Sequence, residues 1–314
     1  MATVAARQPV LKIAAPDLSR DLDLTDDEVQ ALLTLAANVK RTPAKYAHAL
    51  AGRYISLLFE KPSLRTRLTF ELAIKQLGGD AVFSEGRLGA REPVKDVARN
   101  LDRWVQGIVA RTYSQETIEE LAQWSGVPVI NALSDMYHPC QALADVLTLK
   151  EQFGELRGLK LAYVGDGNNV AHSLMLTAGR LGMDFALAAP AGYGPNMDIV
   201  AQAEGLAAIA GGHIEVSSDP HKAVAGAHAV YTDVWTSMGH EEESEKRLAH
   251  FHAFQVNERL FGMARADAVF MHCLPAKRGQ ETSDAVFESS RSVVFDQAEN
   301  RLHAQKALLL MLLA

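Results

Sequence analysis

Short apolar runs alternate with amphipathic stretches along almost the whole chain. This alternation predicts repeated βαβ units with parallel sheets. In the first half, we expect buried strands at residues 54–59, 107–110 and 127–130 and helices at residues 68–77, 117–124 and 141–153. After a turn at residues 154–158 the pattern restarts, with strands expected at residues 159–164, 185–189, 228–233 and 268–272 and a helix at residues 170–181. The apolar run at residues 308–313 predicts the buried face of a terminal helix.

The restart of the pattern divides the chain into two domains. We place the first at residues 1–150 and the second at residues 151–290, because each is long enough to bury its own core. The predicted fold class is therefore α/β, with two doubly wound parallel-sheet domains joined by helices.

Composition narrows the range of functions. The chain has 314 residues, of which 48% are hydrophobic and 22% are charged, as in an ordinary globular protein. A formal net charge of -7 argues against a nucleic-acid binder, although a local cluster of arginines would still attract a small anion. The 2 cysteines are too few for a disulfide framework and fit a reducing compartment. No segment resembles a signal peptide or has the ~20 apolar residues of a membrane span, so we expect a cytoplasmic protein without membrane contact.

The segment at residues 59–67 carries the clearest sign of chemistry. It lies where a buried strand ends and a helix begins, and Ser63 is placed to cap that helix. The free backbone N–H groups of the first turn, the Ser63 hydroxyl, Arg65 and Thr66 would together form a compact cradle for phosphate or carboxylate. An ordinary helix cap beside two surface arginines is the alternative interpretation.

Two further strand ends carry polar side chains. Arg111 follows another predicted strand, and His138 precedes Pro139, which suits the first turn of a helix. His138 either points across a crevice as a hydrogen-bond donor or only caps the helix. In open α/β sheets, ligands bind at the carboxyl ends of the strands, so polar junctions of this kind indicate one binding site.

No cofactor or metal is expected. Gly165 and Gly167 suggest a dinucleotide site, but Val170 replaces the third glycine of that fingerprint and no acidic residue clearly ends the next strand. The His and Cys residues at positions 138, 140, 272 and 273 lack the paired spacing that is typical of zinc sites.

Two residues of the second half are open to a structural or a chemical interpretation. Asp233, at a strand end, either holds an ammonium group or caps a turn. Cys273, at another strand end, is either a reactive thiol in a cleft or a small buried hydrophobic residue.

Taken together, these motifs resemble the carbamoyltransferase family, and within it the ornithine branch. The resemblance covers nearly the whole chain, with the motifs in the family's order. Residues 63–67 (Ser-Leu-Arg-Thr-Arg) match the carbamoyl phosphate signature Ser-x-Arg-Thr-Arg, and residues 138–141 (His-Pro-Cys-Gln) match His-Pro-x-Gln. Acceptor choice is marked by Asp233 with residues 237–239 (Ser-Met-Gly) and by residues 272–275 (His-Cys-Leu-Pro), both similar to the ornithine branch.

The resemblance implies transfer of the carbamoyl group of carbamoyl phosphate to the δ-amine of L-ornithine, giving L-citrulline and phosphate, a step of arginine biosynthesis. The catalytic residues that it implies are Arg111, His138, Asp233 and Cys273. The carbamoyl phosphate-binding residues that it implies are Ser63, Leu64, Arg65, Thr66, Arg87, Arg111, His138, Gln141, Cys273, Leu274 and Arg301. The ornithine-binding residues that it implies are Asn169, Asp233, Ser237 and Met238. It also implies that the C-terminal helix, in residues 291–314, returns to the first domain, and that the chain forms a trimer with sites at subunit interfaces.

The sequence departs from the family pattern at two positions. Leu64 stands where Thr is more usual, which matters little if only its backbone N–H contacts phosphate. Arg87 stands where many relatives have a Gln that reaches carbamoyl phosphate from the adjacent subunit. Arg87 therefore either replaces that donor or turns to solvent.

Three other functions are weighed against this one. The same chemistry on putrescine or an acylated ornithine is the nearest, and residues 237–239 argue against it. A nucleotide-binding oxidoreductase would need the fingerprint that Val170 interrupts. An inactive regulatory relative would not need Arg65, His138, Asp233 and Cys273 together.

Overall fold

The computed structural model describes residues 10–236, 242 and 244–314, which include two parallel β-sheets. The first sheet has the order β2-β1-β3-β4 and consists of β1 (Tyr54–Phe59), β2 (Asp80–Glu85), β3 (Gly107–Arg111) and β4 (Val129–Leu133). The second has the order β7-β6-β5-β8-β9 and consists of β5 (Lys160–Val164), β6 (Asp184–Ala188), β7 (Ile214–Ser217), β8 (Ala229–Thr232) and β9 (Val269–His272).

Helices connect and flank the strands. Those of the first half are α1 (Asp26–Arg41), α2 (Leu64–Gln76), α3 (Val94–Leu101), α4 (Gln115–Trp124) and α5 (Pro139–Phe153). Those of the second half are α6 (Asn169–Arg180), α7 (Met197–Ala210), α8 (Pro220–Val224), α9 (Ser244–Phe251), α10 (Glu258–Phe261), α11 (Asp284–Phe287) and α12 (Val294–Leu313). Short 3-10 turns lie at Asp21–Asp23, Pro43–Tyr46 and His252–Phe254.

Each sheet reverses its strand order at one point. In the first sheet β1 pairs with both β2 and β3, and in the second sheet β5 pairs with both β6 and β8. Two doubly wound parallel-sheet domains of the α/β class were expected, and that fold class is confirmed. Ligands bind beyond the carboxyl ends of the strands at such reversal points. The ends of β1 and β3, and those of β5 and β8, are therefore where a site is expected.

The structure adds several elements to the predicted ones, namely the edge strands β2 and β7 and the helices α3, α8, α9, α10 and α11. β2 alternates between exposed and half-buried residues, and β7 has a single buried residue, Ile214. Strands of this kind lack the continuous apolar run of a central parallel strand, so the apolar pattern does not reveal them.

Helices α5 and α12 connect the two halves of the molecule. All residues of α5 from Pro139 to Leu149 are buried, because the helix packs against both α6 and α12. In turn, α12 packs against α1, α2 and α5, and its apolar run from Leu308 to Met311 is fully enclosed. The last helix thus lies against the elements that surround the first sheet. Among the described helices, none has both the length and the apolar character needed to span a membrane.

Candidate active site

A cavity of about 550 Å³ opens beyond the carboxyl ends of the central strands of both sheets. Its walls come from the segments that follow β1, β3, β5, β8 and β9 and from α5 and α12. The lining residues are Lys61, Pro62, Ser63, Leu64, Arg65, Thr66, Arg111, Leu133, His138, Gln141, Asn169, Val170, Asp233, Val234, Thr236, Cys273, Leu274, Pro275, Lys277 and Arg301.

The first turn of α2 forms one wall. Ser63 is the N-cap, as predicted, and its hydroxyl oxygen accepts a hydrogen bond from the backbone N–H of Thr66 at 3.3 Å. The Leu64 side chain is 71% exposed, so this residue can offer the cavity its backbone N–H without a specific side chain. The turn therefore presents free N–H donors and the positive end of the helix dipole to the cavity.

Three guanidinium groups converge on this wall. Arg111 ends β3 and is buried, Arg301 comes from α12 and is buried, and Arg65 is half-buried. Burial and the charges of Arg301 and Arg65 lower the pKa of Arg111 to about 10. Burial also lowers the pKa values of Arg301 and Arg65.

These three cations have no carboxylate counter-ion within salt-bridge distance among the described residues. The Nε atoms of Arg111 and Arg301 are buried and have no hydrogen-bond partner there. Buried cations without a counter-ion are unfavourable, so an anion bound in the cavity would be strongly stabilised.

His138 and Gln141 face the cavity from the start of α5. His138 occupies the N-cap position, but its side chain makes no capping bond, and its backbone N–H donates to Ser173 Oγ at 2.8 Å. Burial and the charges of Arg301 and Arg111 hold the pKa of His138 well below its usual range. The imidazole is therefore neutral near pH 7 and can donate one hydrogen bond without carrying charge.

The other part of the cavity is built around Asp233. Asp233 Oδ2 accepts a hydrogen bond from Asn168 Nδ2 at 2.9 Å, and Oδ1 accepts one from the thiol of Cys273 at 3.0 Å. Burial and the neighbouring Asp233 raise the pKa of Cys273 well above its usual range. The thiol is therefore neutral, and the carboxylate of Asp233 can attract an ammonium group.

The turn after β9 is fixed by a buried pair. His272 Nε2 lies 3.2 Å from Glu281 Oε1, and His272 Nδ1 accepts a hydrogen bond from the backbone N–H of Leu274 at 2.9 Å. Leu274 has φ 60, a conformation that is unfavourable for a non-glycine residue, and the peptide bond to Pro275 is cis. The turn exposes Leu274 and Pro275 to the cavity.

Gly167, in the turn after β5, is needed for packing. A Cβ on Gly167 would lie 2.2 Å from the backbone nitrogen of Pro195, so the close approach of these two segments requires glycine. Asn168 itself caps α6 by accepting hydrogen bonds from the N–H groups of Val170 and Ala171. A nucleotide phosphate would have to compete with this cap.

One group of side chains lies close enough together for a metal site, but its potential ligand atoms are already engaged in hydrogen bonds. Potential ligand atoms of Asp233, His272 and Cys273 lie within 4.8 Å of one another. Cys273 donates to Asp233, and both ring nitrogens of His272 are engaged by Glu281 and Leu274. We therefore assign no metal to these residues.

Most of the predicted site residues come together in this cavity. Those that line it are Ser63, Leu64, Arg65, Thr66, Arg111, His138, Gln141, Asn169, Asp233, Cys273, Leu274 and Arg301. Arg87 does not line it and is exposed, with its guanidinium carbon 5.7 Å from the ring centre of Tyr113. Ser237 and Met238 lie outside the described residues.

Three polar lining residues and one supporting residue are not among those that the sequence predicts. Lys61, Thr236 and Lys277 line the cavity, and Asn168 orients Asp233. Lys61 and Lys277 lie within four residues of recognised motif positions, so their place after β1 and β9 was the available signal.

Comparisons with known proteins agree with this geometry. Residues 17–151 match the family described as aspartate/ornithine carbamoyltransferase, carbamoyl-P binding domain, and residues 157–312 match its Asp/Orn binding domain. The chain is 49% identical to the ornithine carbamoyltransferase of Gloeobacter violaceus over 95% of this chain and 96% of that protein. It is 52% identical to that of Thermus thermophilus over 91% and 93% of the two chains.

A solved structure shows the same similarity in three dimensions. The ornithine carbamoyltransferase from Pyrococcus furiosus superimposes with a TM-score of 0.94 at 47% identity, covering 97% of this chain and 99% of that chain. Similarity of this extent over both domains, together with the two family matches, shows that the chain belongs to the aspartate/ornithine carbamoyltransferase family.

Proposed function

We propose that this chain transfers the carbamoyl group of carbamoyl phosphate to the δ-amine of L-ornithine, giving L-citrulline and phosphate for arginine biosynthesis. The observation that carries this proposal is the composition of one cavity. Arg65, Arg111 and Arg301 supply positive charge for a phosphate, and Asp233 with Cys273 supplies a place for an amine. The two substrates carry these complementary charges.

The leaving phosphate is assigned to the arginine-rich wall. Ser63, Leu64 N–H, Arg65 and Thr66 on α2 would bind its oxygens, with Arg111 and Arg301 completing the ring. Such donors are fixed before substrate binds, so little reorganisation is needed as negative charge moves onto the leaving group.

The carbamoyl carbonyl is polarised as its carbon becomes tetrahedral. Thr66, Arg111 and neutral His138 are the proposed donors to the carbonyl oxygen, and loss of one such donor typically costs about 3 kcal/mol of transition-state stabilisation. Gln141 and the backbone carbonyls of Cys273 and Leu274 would accept hydrogen bonds from the carbamoyl NH2 group.

Ornithine is assigned to the second domain. Asn169, Asp233, Ser237 and Met238 would hold its amino-acid head, and the δ-amine must lose a proton before it attacks the carbamoyl carbon. Cys273, hydrogen-bonded to Asp233, is the proposed group that orients this amine, and as a thiolate, once its own proton has passed to solvent, it accepts the proton that the amine loses. A cationic amine beside Cys273 would offset the negative charge of Asp233 and so lower the pKa of the thiol towards the pH at which the reaction takes place.

The remaining assignments concern domains and assembly. We assign carbamoyl phosphate binding to residues 1–150, ornithine binding to residues 151–290 and completion of the first site to residues 291–314.

We further propose a cytoplasmic homotrimer in which the exposed Arg87 reaches carbamoyl phosphate in the adjacent subunit. Sedimentation together with the kinetics of Arg87→Ala, which removes every side-chain donor at this position, tests this. A monomer with full activity would reject it.

A panel of amines tests the function. The purified protein is incubated with carbamoyl phosphate and ornithine, N-acetylornithine, putrescine or aspartate, and the ureido products are identified by mass spectrometry. Citrulline from ornithine, formed at least ~100-fold faster than any other product, is expected, because a site built to pair with polar groups strongly rejects ligands that lack them. A faster reaction with another amine would reassign the acceptor, and no ureido product would reject carbamoyl transfer.

A further inference from the structure

A buried carboxylate lies beneath the cavity, outside its lining. Asp145 is on α5, one turn after Gln141, and is fully inaccessible to solvent. Its Oδ1 accepts hydrogen bonds from Gln141 Nε2 and Gln297 Nε2, each at 2.7 Å. Its Oδ2 accepts one from the hydroxyl of Tyr231 at 3.1 Å. Three elements thus send a donor to one carboxylate.

This contact determines the orientation of the Gln141 amide. A carboxylate oxygen that already accepts from Gln297 requires a donor from Gln141 as well, so the Gln141 nitrogen must face Asp145. The Gln141 oxygen, Oε1, then points the other way. It is buried and has no hydrogen-bond partner among the described residues, and Gln141 lines the cavity. An amide N–H of a ligand is the partner that this oxygen lacks.

Gln297 extends the network to the second domain. Its Nε2 also lies 3.1 Å from the Tyr231 hydroxyl, and its Oε1 accepts a hydrogen bond from the backbone N–H of His272 at 2.9 Å. His272 immediately precedes Cys273. One buried chain of hydrogen bonds therefore joins the amide of Gln141 to the backbone beside Cys273, by way of α12.

We propose that Asp145 is a positioning residue for carbamoyl transfer. It holds the Gln141 amide with the amide oxygen directed to the carbamoyl NH2 group, and through Gln297 it fixes the position of that amide relative to Cys273. Asp145 does not touch the substrate. The inference rests on the proposed function, because it names a carbamoyl NH2 as the partner of Gln141 Oε1. A buried hydrogen-bond network of this kind keeps side chains in one arrangement.

A double-mutant cycle tests the role. Asp145→Leu, Gln141→Ala and the double variant are compared with the parent protein by kcat/KM for carbamoyl phosphate at saturating ornithine and pH 8.5. Each single change is expected to lower kcat/KM about 10- to 100-fold, the range for one charge-assisted hydrogen bond. The double variant is expected to be no worse than the poorer single one, because Asp145 acts through Gln141. Losses that multiply would overturn the proposal.

Asp145→Leu leaves buried donors unpaired, which destabilises the fold. A second variant that keeps an acceptor at this position tests the role even when Asp145→Leu does not fold. In Asp145→Asn, the amide oxygen still accepts from Gln141 but without charge, so a loss of about fivefold is expected in the parent and no further loss in Gln141→Ala. No loss in the parent, or an equal loss in both backgrounds, would also overturn the proposal.

Thr148→Val is the matched structural control. Thr148 is buried one turn further along α5, and its Oγ1 accepts a hydrogen bond from Asn300 of α12 at 3.0 Å and donates one to the backbone oxygen of Ala144, not to Gln141. This variant is expected to lower the melting temperature and leave kcat/KM within about twofold, since a neutral hydrogen bond away from the site serves stability alone. If the parent protein forms citrulline and the effects of the two substitutions on kcat/KM are independent, only the proposed role of Asp145 is rejected. If the parent protein forms no citrulline, the proposed function itself is rejected.

Discussion

Arg301 Nη2 on the last helix donates a hydrogen bond of 2.6 Å to Thr66 Oγ1 in the first turn of α2, across 235 positions of sequence. The contact brings a buried guanidinium from the C-terminal helix to the anion cradle of the first domain. The cradle is therefore incomplete until α12 has packed. Removal of this guanidinium is expected to weaken anion binding more than it weakens the fold.

Arg301→Ala tests this expectation. We expect kcat/KM for carbamoyl phosphate to fall about 100-fold or more, the cost of one preorganised donor to developing charge. The melting temperature should fall little or rise, because a buried cation without a carboxylate partner is itself unfavourable. Arg259→Ala, at an exposed position of α10, is the control. Equal kinetic losses in both variants would contradict the assignment.

Arg65 and Arg67 provide a matched pair on one helix. Arg65 lines the cavity, whereas Arg67 is exposed. The guanidinium carbon of Arg67 lies 3.6 Å from the centre of the Phe83 ring, and its Nε lies 3.9 Å from Glu71 Oε2. Arg65→Ala is expected to raise KM for carbamoyl phosphate at least ~10-fold, and Arg67→Ala less than ~2-fold, because an exposed ion pair contributes little. Initial rates over a range of carbamoyl phosphate concentrations give both values. An unchanged KM in Arg65→Ala would show that the cradle is misplaced.

The two cysteines are expected to resist alkylation. Burial and Asp233 raise the pKa of Cys273 well above its usual range, and burial raises that of Cys140 to about 12. Iodoacetamide reacts with thiolates, so at pH 8 both should be labelled at least ~100-fold more slowly than free cysteine. Cys273 should react before Cys140, because it is half-buried rather than buried. A time course read by mass spectrometry, with Cys273→Ser as the control, measures this. Rapid stoichiometric labelling of Cys273 would contradict the expectation.

Asp145 is expected to make stability depend on pH. Burial raises its pKa from 3.8 to about 7, so between pH 4 and pH 7 the folded protein holds a proton that the unfolded chain has released. The stabilisation is complete at low pH and is lost as the pH rises through 7, at up to about 1.4 kcal/mol per pH unit. In Asp145→Asn this contribution is absent.

Urea unfolding of both proteins at pH 5, 6, 7 and 8, at one protein concentration, measures the difference. Asp21, whose pKa burial raises to about 6, contributes in the same direction in both proteins and so cancels from the comparison. The free energy of unfolding of the parent should fall relative to that of Asp145→Asn as pH rises. Parallel curves would rule out the proposed titration.

Sequence-based prediction succeeded where the determinants are local. The central strands carry continuous apolar runs, Ser63 caps α2, and Pro139 begins α5, each within a few residues of its expected place. It failed for β2 and β7, whose edge positions leave all of their residues except Ile214 exposed or only half-buried. It also missed Asn168, because orienting a carboxylate 65 residues away leaves no local pattern.

The sequence by itself determined the places of the central strands and of the longer helices, the helix caps and the motif residues, since these depend on neighbouring side chains and on backbone preferences. Only the tertiary structure decided that Arg301 meets Thr66, that Cys273 donates to Asp233, and that Asp145 collects donors from α5, α12 and β8. The physical reason is that these contacts join distant segments. Their geometry is set by how α5 and α12 pack against each other and against α1, α2 and α6, and that packing is a property of the whole core.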